Sequence, residues 1–245
     1  MGDADVPRPG PRPVLDSIRR DIVEGGLPPG TVLEVDALAR AHDVSRIPVR
    51  EALMTLVGEG LVVHAPRRGY TVTRLEEGEL AELFGVRGTL ELAALAVAVR
   101  LRGPDDVADA RRAHDDLRRA VEIGDERGYH RSSRAFHVAL TRPSAMPRLL
   151  GVFDRTWDVT EPYRPMEDLG PAEAEQLHAE HTAMLEAFAA GDGERLLVIA
   201  AGHQESLSDR VRTRGHTPQA PPGPVRRGRR RTVGDDSRSA VEEQR

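Results

Sequence analysis

The 245-residue chain contains no cysteine. Disulfide frameworks, cysteine-ligated zinc, iron–sulfur clusters and thiol nucleophiles are therefore excluded. It has no lysine either, so all 35 Lys/Arg positions are arginine. With so much Ala, Gly, Pro and Val, this reads as coding from a GC-rich genome rather than a selected cationic surface. Aromatic residues are only 3%, which argues against a protein that stacks single-stranded bases. The longest apolar run, Leu92 to Val99, is eight residues. A membrane-spanning helix needs about 18 or more. The first ten residues, MGDADVPRPG, lack the apolar segment of a secretory signal. The expectation is a soluble, cytoplasmic protein with no membrane partner.

What is present suffices for a core: 39% of residues are hydrophobic and 31% charged. Charge is uneven along the chain. Residues 1–74 hold 10 Arg and 10 Asp/Glu, residues 75–212 hold 17 Arg against 26 acids, and residues 213–245 hold 8 Arg against 4. Three charge characters suggest three roles. Residues 1–11 and 213–245 lack apolar periodicity and are expected to be disordered. The Arg-rich run from Arg226 to Arg231 reads as a solvated tail, with sequence-independent nucleic-acid contact as the alternative.

Apolar spacing then divides the chain 12–75 and 76–212. Val14, Leu15, Ile18, Ile22 and Val23 predict a first helix ending at Gly25-Gly26. A turn at Pro28-Pro29-Gly30 follows, then a short helix from about Asp36. A third helix is predicted from about Ile47 to Gly58, with Pro48 in its tolerant first turn. LVVHA and GYTVT around Gly69 predict a β-hairpin. Beyond Glu76 the period is helical, and six helices are predicted at about 76–102, 104–123, 125–141, 144–161, 171–190 and 193–212. Short loops between them imply an antiparallel bundle. The fold class is mainly α: an N-terminal winged helix-turn-helix plus a C-terminal all-α bundle.

The winged helix-turn-helix layout points to duplex DNA. A helix about 10–12 Å across fits the major groove and presents its N-terminal residues to base edges. The candidate reading residues are Ser45, Arg46, Ile47 and Arg50, with Arg40 on the bracing helix. Arg67, Arg68 and Gly69 form the wing tip. Arginine can grip guanine O6 and N7 as a fork, and serine can reach phosphate. Asp43 occupies the tight turn, where Asp tolerates positive φ better than most residues.

Pro28-Pro29-Gly30, Leu38-Ala39, VSRIPVREALMTLVGEGLV (44–62) and PRRGYTV (66–72) together resemble the DNA-binding domain of the GntR family of bacterial regulators. The resemblance implies base or phosphate contacts by Arg46 and Arg50, a phosphate contact by Ser45 and a wing contact by Arg68-Gly69. Ile47 departs from that family's usual small hydroxyl residue, so operator preference is expected to differ.

The net-negative bundle is a poor nucleic-acid binder and is expected to hold the dimer interface and a ligand pocket. His137, His181 and His203 lie on the apolar stripes of three different helices. Each buried imidazole needs a partner, and one divalent metal would satisfy all three. A metal-free polar pocket lined by the same residues is the alternative. His130, two turns before His137, is too far to share an ion, and His178 falls off its stripe and is expected to be exposed.

VRGTLELAALAVA (86–98), RAFHVAL (134–140) and EHTAMLEAFAAGD (180–192) resemble the FCD effector domain of the FadR subfamily. That resemblance implies Zn or Ni held by the three histidines and an Asp, but the Asp position is Ser133 here. Arg87 and Arg134 are candidates to hold an effector carboxylate, although Arg87 could instead pair with Glu91 one turn on. Ser133 and the three histidines complete the expected effector site. No G-x-S-x-G, HExxH or phosphate-cradling loop is present, so no enzyme is expected. The sequence reads as a homodimeric repressor of a palindromic duplex operator, modulated by a small organic acid. The alternative is a metal- or metabolite-binding helical protein whose N-terminal domain docks protein.

Overall fold

A computed structural model describes residues 11–163 and 170–214. The expected disordered ends fall almost wholly outside these residues; Pro11 already belongs to the first helix and 213–214 to the last.

Helix α1 (Pro11–Val23), strand β1 (Val32–Leu33), helices α2 (Val35–Ala41) and α3 (Arg46–Gly58), and strands β2 (Val62–Ala65) and β3 (Gly69–Val72) build the N-terminal unit. Val14, Ile18 and Ile22 share one face of α1 and bury against Val49, Leu53 and Leu56 of α3. The strands form an antiparallel sheet in the order β1-β3-β2, with Val32 opposite Thr71 and Val62 opposite Val72. β1 was not expected. It is two residues long, below the length at which alternation becomes readable. Asp43 does take positive φ (51°), as does Arg67 at the wing tip (68°).

Among the described residues six α-helices follow: α4 (Glu77–Leu101), α5 (Pro104–Ile123), α6 (Glu126–Thr141), α7 (Pro147–Thr160), α8 (Pro171–Ala190) and α9 (Gly193–Arg214). Their starts are written in local chemistry. Glu76 and Glu79 form a capping box on α4, Asp125 caps α6 by accepting from the Gly128 N–H, and Pro opens α5, α7 and α8. The expected helix from 144 begins three residues later. Pro143 lies in a short 3-10 turn (Arg142–Ser144), and Ala145 then reverses the backbone at φ 53°.

The bundle core has two apolar layers. One gathers Leu95, Phe136, Leu140, Met184, Phe188 and Ala200; the other gathers Phe84, Leu117, Tyr163, Leu177 and Leu207. Five described helices contribute to both, and each carries a buried polar residue between them: Glu91 on α4, His114 on α5, Ser133 on α6, His181 on α8 and His203 on α9. A buried polar layer therefore separates the two oils.

The two units touch through the end of α7 and the 3-10 turn that follows it (Glu161–Tyr163). Val159 packs on the N-terminal core, and the Tyr163 hydroxyl accepts from the Leu75 N–H at 2.5 Å. No helix among the described residues is long and apolar enough to cross a membrane.

Candidate functional site: a cationic reading helix and a buried histidine layer

Arg40, Ser45 and Arg46 line one surface groove together with Asp36 and Asp43. Val49, Ala52, Leu53 and Leu56 are the buried face of α3, so Ser45, Arg46, Ile47 and Arg50 are left exposed. Ser45 stands at the N-cap yet makes no side-chain capping bond, which leaves its hydroxyl open to a phosphate. Arg46 is engaged by Asp36 of α2, with Nε–O at 2.5 Å and a second bond at 3.0 Å. Both groups are solvent-exposed, so the pair contributes little and a phosphate can compete for the guanidinium. The side chains of Arg40, Arg50, Arg67 and Arg68 are exposed and make no hydrogen bond or ion pair among the described residues. Gly69 takes φ 81° and lets the wing turn tightly. The unit is net neutral, so exposed cations on α3 and the wing are balanced by acids elsewhere in it.

In the bundle, His137, His181 and His203 are fully buried and converge: one ligand-type atom from each lies within 4.8 Å of the others. His137 Nδ1 meets Glu91 at 2.5 Å, and His203 Nδ1 meets Glu180 at 2.7 Å. Burial would push the Glu91 carboxyl up, but the pull of His137, His203 and Arg87 outweighs it and holds it below its ordinary value. An ionised carboxylate only accepts. Each of these two Nδ1 atoms must therefore carry a proton, which leaves Nε2 as the ligand-type atom of each ring. Burial, then neighbouring histidines, drives His181 well below its ordinary value; burial also lowers His203 despite its bond to Glu180. Rings whose Nδ1 proton is held by a carboxylate are oriented to ligate a metal through Nε2.

The donor set fits a metal. His137 Nε2 and His181 Nε2 are 3.2 Å apart. Two nitrogens at about 2.05 Å from a tetrahedral ion would be separated by roughly 3.3 Å. The Nε2 of His203 and the Oγ of Ser133 are buried without a hydrogen-bond partner. Ser133 is buried on α6, one turn before His137, and brings no charge.

Arg87 is buried, clamped between Phe84 (4.3 Å) and Trp157 (4.2 Å), with one long bond to Thr160 at 3.4 Å. Burial lowers its pKa to about 10, partly offset by Glu91 and Glu161, so it stays charged at neutral pH. Its Nε is buried and has no partner. The simple pair with Glu91 does not form as a contact, because Glu91 is taken by His137 and Gln204. Gly88 makes that possible: a Cβ there would lie 3.1 Å from the Gln204 side chain.

Two expectations are corrected. Arg134 does not join the histidines; its guanidinium turns to α7 and pairs with Asp158 at 2.6 Å. His178 is half-buried rather than exposed, stacked on His114 with ring centres 4.6 Å apart. His130 is buried beside Glu161 and outside the three-histidine group. Sequence reasoning missed Glu91, Glu180, Gln204 and Trp157. A glutamate on the inward stripe just before the Leu92–Val99 run was the one readable sign.

A helix-turn-helix with a wing, joined to a helical unit with a charged buried layer, defines a DNA-binding regulator with a sensing domain. The comparisons agree. Residues 12–72 match the family described as bacterial regulatory proteins, gntR family, and residues 82–206 match the FCD domain. The chain is 31% identical over 183 residues to the HTH-type transcriptional regulator McbR of Escherichia coli K12, spanning 74% of this chain and 83% of that protein. The solved structure of E. coli McbR/YncC aligns with a TM-score of 0.75 at 28% identity, covering 83% of this chain and 97% of that one. The HTH-type transcriptional repressor GlaR of the same strain is 27% identical over 199 residues, covering 76% and 88% of the two chains. The chain belongs to the GntR family of bacterial transcription regulators, in the group that carries an FCD domain.

Proposed function

We propose that this regulator is a cytoplasmic homodimeric repressor whose operator affinity is set by a small organic acid bound in the histidine layer. Residues 12–75 read DNA and 76–212 sense and dimerise. Arg50 reads a base edge, while Ser45, Arg46 and Arg40 hold phosphate and Arg67, Arg68 and Gly69 serve the wing. GlaR, a relative named as a repressor, supports the sign of regulation.

His137, His181 and His203 would hold Zn or Ni. Such an ion, when bound, supplies a Lewis-acidic position that a carboxylate can occupy. Glu91 and Glu180 fix two ring tautomers for that role. Arg87 offers the counter-charge, since a guanidinium short of hydrogen bonds and walled by aromatics favours a carboxylate strongly. A metal-free anion pocket is the second reading, favoured by the neutral Ser133.

The observation that carries the proposal is the α7 helix. Trp157 lies 5.3 Å from the His137 ring and Thr160 bonds Arg87, while Val159 and Tyr163 grip the DNA-binding unit. This helix and the 3-10 turn that follows it thus meet both units, and a ligand that prefers one placement of α7 shifts DNA affinity by that preference alone. The test is a thermal-shift screen of small carboxylic acids with and without added Zn or Ni, followed by operator-binding titrations with each stabilising acid. An acid that stabilises the protein and changes operator affinity supports the proposal. Stabilisation without any change in DNA binding contradicts it.

A further inference from the structure

Ile47 occupies the second position of α3 and is 68% exposed. It adds nothing to the domain core, which α3 supplies from Val49, Ala52, Leu53 and Leu56. A single surface isoleucine needs no explanation in general. This one stands among cations on the face free to enter a groove. Ile47, Arg50, Glu51 and Met54 fall at helical spacings that form one stripe opposite the core, and all four are exposed. Ser45 and Arg46 precede it, and both are exposed as well.

The floor of the major groove offers one prominent apolar feature, the thymine C5-methyl, while guanine offers O6 and N7 to a guanidinium. Side chains three apart on a helix stand about 5–6 Å from each other. Stacked base pairs rise about 3.4 Å. We infer that Ile47 is a specificity-determining residue that buries a thymine methyl one or two base pairs from the guanine addressed by Arg50. Each operator half-site then contains a thymine at that fixed offset. The inference rests on the DNA-reading role proposed for α3. A hydroxyl residue at position 47 would offer a polar contact there; a branched aliphatic one offers only surface to match the methyl.

The test uses the full-length protein and an operator selected from a random-sequence duplex pool. Each thymine is replaced in turn by uracil, which removes the methyl and keeps every base-pairing group. Burial of a group of this size is worth roughly a threefold to fivefold change in dissociation constant. Fluorescence anisotropy should show one symmetry-related thymine pair whose replacement weakens wild-type binding by that factor per half-site. In the Ile47→Ala variant the same replacement should cost nothing, because the methyl has lost its partner. If no thymine replacement weakens binding, or if the loss persists in Ile47→Ala, the inference is overturned. If selection yields no preferred sequence, the DNA-reading role itself has failed before any thymine is replaced. Ile47 contributes nothing to the core, so the variant should fold, and its circular dichroism spectrum should match that of wild type.

Discussion

Tyr163 and Leu75 meet across the junction of the two units: the Tyr163 hydroxyl accepts from the Leu75 N–H at 2.5 Å and donates to the Thr73 carbonyl at 3.3 Å. The hydroxyl therefore closes the space between the end of α7 and the segment leading from the wing to α4. Tyr163→Phe keeps the ring and leaves a half-buried N–H unsatisfied. Such a loss costs about 1–2 kcal/mol. Urea unfolding should show that decrease, and operator affinity should respond less to the effector than in wild type. A variant as stable and as responsive as wild type would remove α7 from the account.

Metal content should depend on the histidines and on the carboxylates behind them. Purified wild-type protein grown with added Zn or Ni should carry metal, and His181→Ala should not. Glu91→Gln should retain the fold but bind about 10–100-fold more weakly, as loss of a ligand's orienting carboxylate does. Elemental analysis and competition with a chelating dye measure both. Metal-free wild-type protein would leave the anion-pocket reading.

Ser133→Asp tests the charge of the layer. The buried Ser133 hydroxyl has no partner, and it lies one helical turn from His137. With Zn present, an added carboxylate should tighten metal binding and raise the unfolding temperature. Without metal, the same change buries an unpaired charge near Glu91 and should lower it. An unfolding temperature that moves the same way in both conditions would contradict the placement of Ser133.

The metal-free protein should lose stability as pH falls below about 6.5. Burial lowers His114, His178, His181 and His203 beneath their ordinary value of 6.5. Between that value and their folded values the unfolded chain binds more protons, so folding weakens as the solution is acidified. Glu91 and Glu180 act later. Their folded values lie below 4.5, so their contribution persists until the pH falls through that region. Unfolding temperature measured from pH 8 to pH 5 should decline, and a flat profile would show that these rings are not neutral in the folded state.

The sequence made the helices legible to within a few residues because caps, Pro starts and apolar stripes agree at nearly every boundary. It made the three histidines legible because each sits on a stripe facing the core. It did not make their partners legible. Glu91 stands one turn after Arg87, so intrahelical spacing suggested that pair; only the approach of α6 and α9 shows it serving His137 and Gln204. His178 is off the stripe of α8, yet α5 brings His114 over it. Arg134 follows Ser133 directly and so points elsewhere, toward Asp158. Stripes report what faces inward; partners across a bundle depend on helix placement, which no local pattern encodes.

The central claim is that the N-terminal turn of α3 reads duplex bases. The direct test is the ratio of operator to random-duplex affinity for wild type and Arg50→Ala, measured at low and physiological salt. Loss of one forked base contact costs about 1–3 kcal/mol. The account predicts that Arg50→Ala loses operator preference by a corresponding factor of about 5–150, while random-duplex binding changes far less. Wild-type binding should also weaken steeply with salt. Undiminished operator preference in Arg50→Ala, or wild-type binding insensitive to salt, would contradict it.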